Sequence, residues 1–325
     1  ARDSAGVRAA AWGGRGLNVA IGVSAAVVVT GIALWGVQLS GGMVQTGMRN
    51  LASWGLYITS FMFLVGLSAG GLIISSVPKA LGIRGFGGIS KVAVMSSIAC
   101  TVAAIGMVVV DLGQPARLWE LFAYSNLGSP LMWDILVLGT YLVLSCFYLW
   151  AQVRAEAGRM SHTALRVISV VALVCAVLVH SVTAWIFGLQ QGREMWHTAL
   201  LAPWFVSSAL VCGTALVMVV AIALRTNALL VAGSLLAILG IFCKRVQLLV
   251  GGFQIANLDM PGPLTPMQHA AWDSGLSGIY GSMVYWPTPL EFGVTLGVVA
   301  LGFLIFFLGL KFLPLRPRGE EPPSE

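Results

Sequence analysis

The stretch GIFCKRVQLL sets Lys244 and Arg245 side by side in a run otherwise apolar enough for a membrane interior. The other residues able to do chemistry are few. Tyr57 and Ser60 lie early in one apolar run, Asp111 ends another, Asp134 and Glu291 begin two more, and His180 lies well inside a fifth. A histidine gives and takes a proton near neutral pH, carboxylates pass protons on, and a buried cation stabilises an anion. Each residue also has a plainer reading. Asp134 and Glu291 fall in first helical turns, where a negative charge is favoured. His180 could make a structural hydrogen bond between helices, and one of the two cations could carry its head group out to the interface.

The elements that position these residues are membrane helices. Of 325 residues, 58% are hydrophobic and only 9% charged, with mean hydropathy +0.90, against about 25% charged in a soluble domain. The apolar runs are long enough for spanning helices rather than barrel strands. Eight are expected, at roughly 18–39, 54–77, 90–110, 131–152, 165–189, 196–224, 228–250 and 289–312. The first run is too long for a signal-peptide core and reads as a retained helix. Eight spans put both termini on one side. That side collects 13 Lys and Arg against 3 on the other, with Lys244 and Arg245 inside a span. By the positive-inside rule both termini are cytoplasmic, in a prokaryotic cytoplasmic membrane. Lys244 and Arg245 then sit in the outer third of the seventh span, about 100° apart on the helix, so one is expected to face the bundle.

The five cysteines are scattered singly and suggest no metal site. A b-type haem would need two histidines at matching depth on facing helices. His180 and His197 are the nearest candidates, and His197 begins its span, so neither haem nor metal is expected in this chain. SPLMWD (129–134) and TPLEFG (288–293) open the fourth and eighth spans alike, with Ser129 and Thr288 as N-caps and Pro130 and Pro289 in the first turn. FMFLVGLSAGGL (61–72) and WFVSSALVCGTAL (204–216) share a small-residue seam of the kind that lets helices approach closely. These likenesses suggest an all-α protein of two four-helix bundles, 18–152 and 165–312. The N-terminal segment 1–17 is cytoplasmic, 251–288 is a long outer loop, and 313–325 is a disordered tail. Most polar residues fall in the outer half, and no series of ionisable groups continues to the cytoplasm.

WGLYITSFMFLVGLSAGGLI (54–73), DLGQPARLWELF…SNLGSPLMWD (111–134) and HSVTAWIFGLQQGREMWHTALLAPWFVSSAL (180–210) resemble the NrfD/PsrC family. Its members are quinone-interacting membrane subunits of respiratory complexes built with molybdopterin enzymes. The resemblance implies an anchor that binds menaquinone or ubiquinone near the outer face. Such an anchor docks a four-cluster iron–sulfur subunit, which is wired to a molybdopterin catalytic subunit. In polysulfide-reductase-type members, polar residues early in the second span and a tyrosine in the fifth contact the quinone. Here Tyr57 and Ser60 fall near the first place and His180 near the second, but the second span has no Asn-x-x-His pair.

On this reading His180, Tyr57, Ser60, Lys244 and Arg245 hold the quinone, the cations stabilising its anionic reduced form. Asp111, Asp134 and Glu291 carry protons. The outer loop and the 116–128 segment, through Arg117, Trp119, Tyr124 and Asn126, meet the iron–sulfur partner. A small-molecule or ion transporter, or an anchor that turns over no quinol, are the alternatives. The protein is thus either non-catalytic alone or the quinol-oxidising subunit of its complex.

Overall fold

A computed structural model describes residues 14–48, 52–82, 87–190, 195–222, 228–254 and 285–315. Most of the expected outer loop 251–288, the N-terminal 1–13 and the tail beyond 315 lie outside these. Among the described residues, eight helices are long and apolar enough to cross a membrane: α1 Arg15–Gly41, α2 Leu56–Leu81, α3 Gly87–Asp111, α4 Pro130–Glu156, α5 His162–Gly188, α6 Leu201–Ile222, α7 Ala228–Gln254 and α8 Pro289–Phe312. No strand occurs among the described residues. A lipid-spanning backbone must satisfy its own hydrogen bonds, and helices do so locally.

The helix ends alternate. Lys91 Nζ meets Glu156 Oε2 at 2.7 Å, and Lys311 Nζ donates to Asn18 Oδ1 at 2.8 Å. These contacts mark a basic end that also carries Lys79, Arg154 and Arg166. Asp111, Asp134 and Glu291 lie at the opposite, carboxylate end. Thr288 caps α8 as its sequence predicts, in a capping box with Glu291. Ser129 stands at the N-cap of α4 but makes no side-chain capping bond. The sixth span starts later than expected, at Leu201 rather than Trp196. Pro203 fits a first turn and would break a helix begun a turn earlier. Trp196 and His197 therefore sit in the preceding turn.

Helix α2 is the hub. It packs on α3, α5, α6, α7 and α8, while α1 packs chiefly on α8, and α4 on α5 and α3. These contacts cross the expected grouping of the first four spans against the last four. The two small-residue seams meet each other: a Cβ added at Gly70 would lie 2.2 Å from the Ala209 carbonyl oxygen and 2.6 Å from Gly213 Cα. Gly31 and Gly297 let α1 and α8 touch in the same way, each Cβ falling 2.5 Å from the other's Cα. Lipid is as apolar as the side chains, so such close packing holds membrane helices together.

Replacing Gly70 by Val is expected to cost about 3 kcal/mol or more, because backbone on the facing helix cannot yield as a side chain does. Gly139→Ala, which meets open space, is expected to be neutral. Thermal unfolding in detergent checks both; equal shifts would contradict this packing.

Candidate functional site

The carboxylate end is tied together by Glu291, which is fully buried. Its Oε2 accepts from the Gly47 amide at 2.7 Å and the Thr288 amide at 2.9 Å, and its Oε1 accepts from the Tyr285 hydroxyl at 2.6 Å. Tyr285 Oη in turn accepts from the Leu56 amide at 2.8 Å. One carboxylate thus joins the 42–48 segment, the start of α2 and the start of α8. Burial, and then the hydrogen bond to Glu291, push the Tyr285 phenol well above its ordinary value. Gly47 and Gly55 are required here: a Cβ at Gly47 would fall 2.1 Å from the Trp286 carbonyl oxygen, and one at Gly55 would fall 2.3 Å from the Tyr285 hydroxyl.

Beside this knot, the buried Tyr57 donates to Gln38 Oε1 at 2.5 Å. Gln38 Nε2 donates to the Val110 carbonyl at 2.9 Å. Gln38 was not among the expected residues; a lone glutamine in the last turns of an apolar span was its only signal. Val110 adjoins Asp111, whose Oδ1 is buried with no hydrogen-bond partner among the described residues. Tyr57 lies within electrostatic reach of both Glu291 and Asp111. Ser60, one turn further along α2, is also buried.

His180 and Arg245 meet elsewhere. They lie on α5 and α7 at matching depth, about 12 Å from the carboxylate end at 1.5 Å per residue. Arg245 Nη2 contacts His180 Nε2 at 3.1 Å and donates to Ser208 Oγ at 2.7 Å, and its guanidinium lies 3.8 Å from the Phe205 ring centre. A guanidinium only donates, so Nε2 accepts and the ring proton belongs on Nδ1. That Nδ1 and Arg245 Nε have no partner among the described residues. Above them Trp54, Phe187, Trp196 and Phe253 form an aromatic layer, with Trp54 stacked on Trp196 at 6.1 Å. Trp196 is buried in this layer.

Lys244 departs from its expected role. It is exposed, with Nζ 4.5 Å over the Trp204 ring. The 100° between neighbours on a helix turns Arg245 inward and Lys244 outward. Nor is Arg245 in an ion pair: its partners among the described residues are a histidine, a hydroxyl and a ring. Asp134 is buried and accepts from Thr183 Oγ1 at 2.7 Å, joining α4 to α5. The expected site residues thus divide into three groups: Tyr57 with Asp111 and Glu291, His180 with Arg245, and Asp134 with Thr183.

Between α3 and α4 the backbone turns through Pro115–Arg117 and the short helix Glu120–Ala123. A cavity of about 510 Å³ opens there, lined among others by Leu112, Gln114, Arg117, Tyr124, Asn126 and Met132. Arg117 and Glu120 pair at 2.8 Å on the exposed surface, and Glu120 raises the Arg117 pKa. Trp119 is 59% exposed and Tyr124 78%. No group of three or more His, Cys, Asp or Glu among the described residues is arranged to hold a metal.

Arg245→Met would leave His180 Nε2 without its donor, at about 1–3 kcal/mol, while Ser208 keeps its bond to the Phe205 carbonyl. Lys244→Met is expected to stay within about 0.5 kcal/mol of the parent, as surface changes do. Detergent melting curves separate the two; a larger loss from Lys244→Met would reverse the assignment.

The family described as polysulphide reductase, NrfD, matches residues 44–228. A Halobacterium salinarum protein named as a membrane subunit of dimethyl sulfoxide reductase is 30% identical, over 91% of this chain and 91% of its own length. The Hdr-like menaquinol oxidoreductase integral membrane subunit of Archaeoglobus fulgidus is 28% identical over 58% of this chain and 47% of its own length. A polysulfide reductase chain of Wolinella succinogenes is 22% identical over 50% and 56% respectively. With more than half its length matched by the family and nearly all of it by one relative, this chain belongs to the NrfD family of membrane subunits.

Proposed function

We propose that this chain is the quinone-exchanging membrane subunit of a respiratory oxidoreductase complex, with the quinone ring held at the carboxylate end beside Asp111. The observation that carries this reading is the buried Asp111 Oδ1, without a partner among the described residues, one residue before a cavity wall that begins at Leu112. A buried polar atom left unpaired in a native protein calls for a ligand, a water or a catalytic role. About 510 Å³ falls in the range of ligand pockets, about 300–1,000 Å³. The family and its menaquinol-named relative supply the class of ligand.

Oxidation of a quinol releases two electrons and two protons. Glu291 already accepts from two amides and a phenol, so it is held as an acceptor and serves to position the site. Asp111, with an oxygen to spare, is the proton acceptor, and Tyr57, fixed through Gln38 to the backbone at Val110, orients the wall around it. The aromatic layer around Trp54 and Trp196 separates His180 and Arg245 from this end, so that pair supports the fold around the site and does not touch the ring. Electrons leave to an iron–sulfur subunit docked over the exposed Trp119 and Tyr124, and from it to a molybdopterin subunit. The excess of Lys and Arg at the basic end favours a cytoplasmic basic end and an outward carboxylate end.

Asp111→Asn keeps shape and removes the acceptor. In the complex purified through a tag on this chain, it is expected to lower quinol oxidation about 100-fold or more with every partner subunit retained. Tyr57→Phe, which removes one hydrogen bond, is expected to cost about fivefold. Wild-type turnover in Asp111→Asn would exclude Asp111 as the acceptor.

A further inference from the structure

Sequence reading found no polar route from the carboxylate end toward the basic end; the packing of α2, α3 and α4 supplies one. At mid-membrane, Ser68 Oγ lies 3.0 Å from Ser97 Oγ, 2.6 Å from Thr101 Oγ1 and 3.0 Å from the Tyr141 hydroxyl. Ser97 and Tyr141 close the triangle at 2.7 Å. Nearer the basic end, Ser75 and Ser90 meet at 2.7 Å, and Tyr148 donates to the Ser75 carbonyl at 3.1 Å. Gln152 binds both serines, and Lys79 Nζ donates to Ser90 at 2.5 Å.

The second cluster is the first repeated one heptad on. Ser68 and Ser75, Ser97 and Ser90, and Tyr141 and Tyr148 are each seven residues apart, so each pair shares one helix face. The same stripe of α4, one heptad toward the carboxylate end, carries the buried Asp134. All six Ser and Tyr side chains are buried.

These hydroxyls do not need one another to be satisfied. On lipid-facing positions of the same protein, Thr140, Ser181 and Ser207 each bond the carbonyl four residues back, the ordinary way to hide a hydroxyl in a membrane helix. In the α2–α3–α4 seam Ser68 donates to the Ser97 carbonyl at 2.8 Å and Thr101 bonds that same carbonyl, four residues back on its own helix, but the Ser68–Ser97, Ser68–Thr101, Ser97–Tyr141 and Ser75–Ser90 pairs also join hydroxyl to hydroxyl across helices. A connected series of hydroxyls, each able both to donate and to accept, is what stepwise proton transfer requires. Rows of ionisable and polar groups inside a membrane mark such relays.

We propose that this column carries protons between Asp134 and the aqueous phase at the basic end, through the Tyr141 layer, the Tyr148 layer and Lys79. Quinone chemistry at the carboxylate end then exchanges protons with the opposite face. Successive layers are about 10 Å apart along the helices, and water completes each step. No electron moves in this path: a proton accepted at one end is matched by one released at the other. The proposal rests on the quinone reading for what drives it, not for the path itself.

The test uses the tagged complex in vesicles, with a quinol, a soluble electron acceptor and a pH dye on each side. Wild type is expected to change pH on the basic-end side in step with turnover. Tyr141→Phe is expected to slow that change about 100-fold, while quinol oxidation with an uncoupler present stays at the wild-type rate. Ser181→Ala, outside the column, should change neither. Turnover with no pH change on the basic-end side, or a change that survives Tyr141→Phe, overturns the route and leaves the quinone reading standing. A wild type that oxidises no quinol defeats the quinone reading instead. The route is then decided by proton entry driven by a potassium–valinomycin gradient into vesicles holding the full chain. Entry abolished by Tyr141→Phe supports it, and no entry, or entry unchanged by the substitution, overturns it.

Discussion

Inside a bilayer a polar side chain finds no water, so whatever it needs must come from a neighbouring helix. That constraint organises this protein. Glu291 is met by two amides and a phenol, Tyr57 by Gln38, Asp134 by Thr183, and Lys91 by Glu156 and the Pro314 carbonyl. Such partners can be reached only because helices come close, and they come close at glycines, as at Gly70 against Gly213. Helix α2, buried for most of its length, is the element through which most of these pairings pass.

The exceptions are then informative. Asp111 Oδ1, His180 Nδ1 and Arg245 Nε are among the few buried side-chain polar atoms left without a partner among the described residues. Two of them share one arginine–histidine contact sealed under aromatic rings. The third belongs to the residue before Leu112, which lines a cavity between α3 and α4. Chemistry that draws an amphipathic ring from lipid and exchanges protons belongs at such a cavity.

Much of the fold could be read from the sequence because its signals are local. Long apolar runs mark spans, and Thr-Pro-Leu-Glu marks a capped helix start, which Thr288 and Glu291 form. What was hidden depends on rotation and partner choice. Lys244 and Arg245 are equally out of place in composition, and only packing decides that Arg245 turns inward. The start of α6 was misplaced because the apolar pattern runs through Trp196 while Pro203 sets the boundary. Gln38 and the Ser68–Ser97–Tyr141 layer passed unnoticed because a glutamine or serine in a membrane helix usually bonds its own backbone or reaches the surface. The heptad relation of the two layers is written in the sequence, but it takes on meaning only once α2, α3 and α4 are known to be neighbours.

In the resulting account, a lipid-soluble carrier is held at the carboxylate end by a wall fixed from four directions, and the hub helix links that wall to the interior. Photolabelling the complex with an azido-quinone and mapping the modified peptides locates the bound ring. Label displaced by excess unmodified quinone is expected on the cavity segment between Leu112 and Ile135. Displaceable label confined to the α5–α7 region around His180 and Arg245 would contradict it.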